Sequence, residues 1–150
     1  MQAFPHEYTV DGRAFLRGDI TLGSDRLPAL CAAPPPEFDG PGDRWSPETL
    51  LVAAVSSCYV LTFRAIAAIA GLHWLSLRCV VRGTVNRVDR ATQFTEFHLM
   101  VDLTVPQGSD EDHARELLAR AKHACLITHS LKAPFVLDAK VETAQPALSQ

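Results

Sequence analysis

From Phe97 to Val105 the chain alternates between two sets of positions. Phe97, Leu99, Val101, Leu103 and Val105 take one side; His98, Met100, Asp102 and Thr104 take the other. A period of two predicts a half-buried strand. Residues 74–88 are also strand-prone, and a turn near Asp89-Arg90-Ala91 joins them to 93–106 as a hairpin. Thr49–Gly71 reads differently, as TLLVAAVSSCYVLTFRAIAAIAG, apolar almost all round and broken by Arg64. Such a segment is a core helix or a membrane span. The small and hydroxyl side chains and the flanking strand-like runs favour the core helix. Ser46 suits its N-cap, Pro47 its first position and Glu48 the positive end of its dipole. The helix is expected from Pro47 to about Ala70, with Gly71 as its stop. Its apolar breadth exceeds what one small sheet covers, so part of it is expected to pack on a second subunit.

Upstream, EYTVDGRAF and GDITLGS within residues 7–24 read as a hairpin or meander. Residues 33–47 hold five of the ten prolines and form a loop anchored by Phe38 and Trp45. Downstream, Ser109-x-x-Asp112 is expected to open a second helix in capping-box style. Ala114, Leu117, Leu118, Ala121 and Cys125 share its apolar face, with Arg115, Glu116, Arg120 and Lys122 off it. THSLKAP then leads to a last strand, Phe135 to Glu142, and a short polar tail. Strands, long helix, strands, helix and strand in that order predict one α+β domain over 1–150 with segregated antiparallel sheets.

Composition narrows the function classes. With 47% hydrophobic and 21% charged residues, the chain is neither disordered nor collagen-like. A net charge of −3 gives no basic excess, so neither nucleic acid nor an anionic membrane surface is an expected partner. The N-terminus shows no basic region followed by an apolar stretch, which predicts a cytoplasmic, reducing setting. Cysteines there are buried, metal-bound or redox-active more often than disulfide-bonded. The four cysteines form no C-x-x-C, and the six histidines form no H-x-x-x-H pair, so no metal site is expected.

Cys31 and Cys79 read as small buried hydrophobes. Cys58 and Cys125 sit on core-facing helical surfaces with small neighbours, which leaves room for a substrate or a second sulfur. A reactive thiol needs its pKa lowered by a cation or a helix N-terminus. Cys58 lies about three turns into its helix, too deep for that helix's own dipole, so an arginine is expected to supply the charge. Glu48 is a carboxylate able to hold such an arginine, although it stands about 15 Å from Cys58 along a straight helix. His123, His129, Trp45 and Tyr59 read as solvated or packing side chains.

PPPEFDGPGDRWSPETLLVAAVSSCYVLTFRAIA and, further on, AKHACLITHSLKA resemble the OsmC/Ohr family of osmotically inducible and organic-hydroperoxide-resistance proteins. The carrying motifs are S/N-P-E-x-L-L-x-A-A-x-x-x-C, here Ser46 to Cys58, and C-x-x-x-x-S-L, here Cys125 to Leu131. The resemblance implies an OsmC-like α+β fold in an intertwined homodimer. It implies a thiol-dependent peroxidase that reduces organic hydroperoxides to alcohols in oxidative-stress defence. Cys58 would be the peroxidatic cysteine and Cys125 the resolving one. Glu48 would orient an activating arginine from the N-terminal strands. Arg17 is the match, with Arg13 next and Arg26 or Arg44 further out. No cofactor is implied beyond an external dithiol or lipoyl-type reductant. Leu51, Val55, Phe63 and Phe38 are candidates for the pocket wall or for plain core. The alternative is a non-catalytic relative that binds a small ligand or senses redox state.

Overall fold

The computed structural model describes residues 3–144; the expected polar tail from 145 onward lies outside them. The chain divides into two compact units, Met1–Leu51 and Val52–Gln150.

The first unit holds a three-stranded antiparallel sheet in the order β1 (Asp11–Arg13), β2 (Ile20–Gly23), β3 (Leu30–Ala32). The expected β1–β2 pairing is present, and β3 is an addition to it. Only Leu30-Cys31-Ala32 forms that strand, too short to leave a periodic signature. The proline loop after it contains a single 3₁₀ turn, Pro36–Phe38. It closes tightly at Gly40, where a Cβ would fall 1.6 Å from the Pro34 carbonyl oxygen. Ala33 N–H bonds the Trp45 carbonyl at 2.9 Å, fixing the loop's two ends.

Helix α1 spans Pro47–Ala70, as its caps predict. Ser46 and Thr49 cap it reciprocally: the Ser46 N–H donates to Thr49 Oγ1 at 2.8 Å, and the Thr49 N–H donates to Ser46 Oγ at 3.2 Å. Gly71, at φ 68°, terminates it. In the second unit Val55, Tyr59, Phe63 and Ala67 are fully buried. Their spacing of four puts them in one stripe. Leu61 and Ile69, off that stripe, are 59% and 88% exposed. The helix is long and apolar enough to cross a membrane by length and composition, yet its pattern is that of one buried face and open flanks.

Beside α1's buried stripe runs a long hairpin, β4 (Ser76–Val88) and β5 (Ala91–Val105). Asp89 and Arg90 form its two-residue turn with φ 49° and 69°, as such hairpins require. Phe97, Leu99, Val101, Leu103 and Val105 are all buried, matching the alternation read from sequence. Helix α2 (Glu111–Ala124) follows, with Ala114, Leu117, Leu118 and Ala121 buried. Its N-cap is Asp110, whose Oδ1 accepts from the His113 N–H at 3.0 Å, not Ser109. Gly108 at φ 83° and a Ser109 N–H bond to the Pro106 carbonyl hold Ser109 in the preceding turn, so the helix starts one residue later.

The two-sheet α+β class is observed, but the second sheet is not wholly antiparallel. β6 (Phe135–Thr143) pairs with β5 in parallel, giving the order β4-β5-β6. A parallel partner needs a long crossover, and the stretch from Pro106 to Pro134, which carries α2, supplies it. Phe97 ties β5 to β6, stacking on Phe135 and also on Phe94 of its own strand, with ring centroids 4.9 Å away in both cases.

Gly83 faces α1. A Cβ there would lie 2.9 Å from Val52 Cγ2 and 2.6 Å from Phe94 Cε1. Gly83→Ala is therefore expected to destabilise the protein by about 1–3 kcal/mol through overpacking. Chemical denaturation checks this: the midpoint falls while the slope stays unchanged.

Candidate active site

Cys58 lies on α1, one residue before the buried Tyr59, and is itself half-buried. The Tyr59 hydroxyl donates to the Leu118 carbonyl at 3.1 Å and so anchors this turn of α1 to α2. Cys125 is buried at the break between α2 and a one-turn helix, α3 (Leu126–His129). It serves as C-cap of α2 and N-cap of α3, with extended backbone at φ −70°, ψ 118°. Thr128 holds the break in shape. Its hydroxyl donates to the Cys125 carbonyl at 2.8 Å and contacts the Lys122 carbonyl at 3.3 Å.

The first N–H groups of a helix lack partners within it. At α3 two of them, from Leu126 and Ile127, lie close enough to the Cys58 sulfur to favour its thiolate. The Cys125 thiol and the Thr62 hydroxyl, one turn along α1, act in the same direction. Burial on its own pushes the Cys58 thiol up. The hydrogen bonds from Cys125, the Ile127 N–H, Thr62 and the Leu126 N–H more than offset it, and the thiol falls below its ordinary value of 9.0. Cys125 moves the opposite way. Burial pushes it up, and giving its proton to a bond with Cys58 pushes it further, against smaller opposing bonds from Thr128. The pair therefore favours one arrangement: thiolate at Cys58, thiol at Cys125. Both cysteines are free.

Within the Val52–Gln150 unit the groups that lower the Cys58 thiol are neutral hydrogen-bond donors. The helix break at Cys125 gave no sequence signal; a helix ending one residue before a cysteine reads as an uninterrupted stripe. Thr62 was also missed, although its place four residues after Cys58 was a readable cue.

The remaining predicted residues are spread more widely. Arg17 sits in an exposed bend between β1 and β2 and carries no ion pair among the described residues. Arg13 pairs with Asp11 at 2.8 Å, Arg26 with Asp25 at 3.5 Å, and Arg44 with Asp19 at 2.7 Å. Glu48 has a buried carboxylate oxygen, Oε2, with no hydrogen-bond partner. Such an atom is costly to leave unpaired. Val55 and Phe63 are core, Leu51 is half-buried and Phe38 is 53% exposed. Cys31 is exposed, contrary to expectation, because alternation along β3 buries its neighbour Ala32 instead. It lines a surface cavity of about 320 Å³ with Asp43, Arg44, Trp45 and Thr49. Cys79 is half-buried, and burial raises its thiol pKa. His123 and His129 are exposed.

The OsmC-like protein family profile matches residues 40–140. The chain belongs to this family. Among curated relatives, the uncharacterized protein YmaD of Bacillus subtilis (strain 168) is 25% identical over 101 residues, covering 65% of this chain and 67% of its own. Peroxiredoxin OsmC of Escherichia coli (strain K12) is 26% identical over 98 residues, covering 65% and 68%. Among solved structures, an OsmC-like protein of unknown function from Vibrio cholerae superposes with a TM-score of 0.82 at 19% identity, covering 90% of this chain and 99% of its own. An organic hydroperoxide resistance protein OsmC from Legionella pneumophila gives a TM-score of 0.73 at 18% identity, covering 93% and 98%. These likenesses place the chain in the OsmC-like fold.

The donors make a sharp prediction. Thr62→Val and Cys125→Ala each remove a hydrogen bond to the Cys58 thiolate. A thiol held low is deprotonated, and alkylates readily, down to pH values below its ordinary pKa; reactivity is lost as pH falls through the lowered value. Both variants are expected to shift the midpoint of Cys58 alkylation upward in pH. An unmoved midpoint in either would exclude that donor.

Proposed function

We propose that this OsmC-like protein is a thiol-dependent peroxidase that reduces organic hydroperoxides to alcohols. The observation that carries the reading is the Cys58–Cys125 contact, with the two thiols pushed to opposite sides of their ordinary pKa. Perturbed pairs of this kind mark functional sites. The family membership, and the names of the E. coli and Legionella relatives, support a peroxide substrate.

In this reading the Cys58 thiolate attacks the distal oxygen of the hydroperoxide. The O–O bond breaks, the alkoxide leaves and takes up a proton, and Cys58 becomes a sulfenic acid. Cys125 then attacks the Cys58 sulfur, water leaves and a disulfide forms. An external dithiol of lipoyl type reduces it by exchange. The Leu126 and Ile127 N–H groups remain aimed at the reacting sulfur throughout. By family resemblance Glu48 would orient an arginine, Arg17, whose guanidinium would both stabilise the thiolate and hydrogen-bond the departing alkoxide. The orphan oxygen of Glu48 favours such a partner, since a buried carboxylate needs one.

A homodimer in the cytoplasm, without membrane or nucleic-acid partners, completes the proposal. Its support is uncovered apolar surface. Phe15 and Leu16 are 93% and 98% exposed within the single chain, as is 88% of Ile69 on α1. Patches of this kind mark interaction surfaces. Sedimentation equilibrium is expected to give twice the chain mass; a monomer at micromolar concentration would remove this part.

The activity is tested by mixing reduced protein with cumene hydroperoxide or hydrogen peroxide and following thiol loss. Wild type is expected to favour cumene hydroperoxide. Cys58→Ser is expected to lose essentially all activity. Cys125→Ser is expected to consume substrate once but not turn over with a dithiol. Arg17→Ala is expected to slow the first step by about ten- to a hundred-fold, the scale of one lost transition-state contact. Consumption no faster than by free cysteine would leave a ligand-binding or redox-sensing relative.

A further inference from the structure

The segment that carries Cys125 is basic in a chain that is otherwise acidic. Between Glu116 and Asp138 the chain holds Arg120, Lys122 and Lys132 and no acidic residue. Over its full length acidic residues outnumber basic ones, 17 to 14. Arg120 has Glu116 one turn back on the same helix flank. Lys122 and Lys132 have no such neighbour, and neither makes an ion pair among the described residues. Lys122 is half-buried and Lys132 exposed.

Hydrogen bonds within the Val52–Gln150 unit place these two lysines at the site. Tyr59, next to Cys58 on α1, donates to the Leu118 carbonyl at 3.1 Å, so the Cys58 turn lies against the later part of α2. Lys122 is one turn beyond Leu118. Thr128 contacts the Lys122 carbonyl at 3.3 Å and donates to the Cys125 carbonyl at 2.8 Å, which folds α3 back on the end of α2. The Leu131 N–H bonds the Thr128 carbonyl at 3.4 Å and closes the turn that leads to Lys132. The two ammonium groups thus flank the Cys125 break, one before it and one after it. Two exposed apolar side chains accompany them: Leu126, which follows Cys125, and Leu61, one turn after Cys58.

We propose that Lys122 and Lys132 serve the reductive step, selecting a dithiol that carries a carboxylate. The proposal rests on the peroxidase reading, which supplies the disulfide. Access decides where a reductant strikes: Cys125 is fully buried, whereas Cys58 is only half-buried. The first thiolate of the reductant bonds the Cys58 sulfur. The Cys58–Cys125 bond breaks, and its electron pair leaves with Cys125, which takes up a proton. The second thiol of the reductant loses its proton, bonds the first sulfur and releases Cys58 as thiolate. Two electrons pass from the dithiol to the protein, and the reductant departs as a cyclic disulfide. The entering and leaving sulfurs are both anionic, so positive charge beside the site favours this step. A carboxylate on the reductant is drawn by the same lysines, while Leu61 and Leu126 receive its alkyl chain. A neutral hydroperoxide gains no such attraction on approach.

The test uses the full chain carrying Cys31→Ser, so that the exposed thiol takes no part. Cumene hydroperoxide forms the disulfide, the excess is removed, and the protein is mixed with dihydrolipoate or dihydrolipoamide. The two reductants share one dithiol and differ in a single carboxylate. Return of free thiols is followed at low and high salt. Dihydrolipoate is expected to react about three- to tenfold faster at low salt, with the ratio shrinking as salt rises. The double variant Lys122→Glu with Lys132→Glu is expected to bring the ratio to unity or below; Lys122→Arg with Lys132→Arg is expected to keep it. Both dithiols act on the same protein, so a general effect of substitution on fold or thiol reactivity cancels in the ratio. Equal rates in the lysine-bearing protein at low salt, or an unchanged ratio in the double glutamate variant, overturn this inference and leave the peroxidase reading standing. No Cys58–Cys125 disulfide from hydroperoxide overturns both.

Discussion

The Cys58 sulfur is held against the start of α3, and the arrangement of the second unit follows from that contact. A thiolate in a half-buried position is costly unless several donors converge on it. This chain supplies them by breaking a helix. Had α2 continued through Cys125, the N–H groups of Leu126 and Ile127 would have been spent on carbonyls one turn back. The extended backbone at Cys125 releases them, and Thr128 keeps the released geometry by bonding the Cys125 and Lys122 carbonyls. The same break turns the Cys125 thiol toward Cys58.

The sheet gives that contact its rigidity. β5 is the central strand, buried along one face from Phe97 to Val105. β4 brings α1 to the sheet through Gly83 and Ser56. On the other side, the parallel pairing of β6 obliges the chain to cross over, and that crossover carries α2 and the Cys125 break. An antiparallel β6 on a short turn would have left no segment to present Cys125 to α1. The departure from a wholly antiparallel sheet is thus tied to the site itself.

Much of this was readable in the residues because the signals were local and periodic. Ser46-Pro47 and Gly71 marked both ends of α1, and the alternation of Phe97 to Val105 marked β5. The two cysteine motifs carried the family and singled out Cys58 and Cys125. What could not be read was contextual. β3 is too short for a period to show, and β6 has the same alternation whether its neighbour runs parallel or antiparallel. Cys31 is exposed because three residues of strand place it on the outer side of Ala32. The peptide donors beside Cys58 were unreadable for a related reason. Side-chain charge is visible in a sequence, whereas a backbone N–H carries no letter.

Peptide dipoles beside the thiolate make their own demands on the rest of the molecule. An ion pair must be desolvated on both sides, and a guanidinium must be ordered before it can act. Backbone donors are fixed by the helix and cost no side-chain ordering. They hold Cys58 ready before any substrate arrives. The opposite shift at Cys125 follows from the same bond, because a proton shared toward Cys58 is harder to remove from Cys125. The two thiols are thereby given different tasks without any difference in residue type. The one with converging donors suits attack; the one that supplies a donor stays protonated until the sulfur it faces becomes an electrophile.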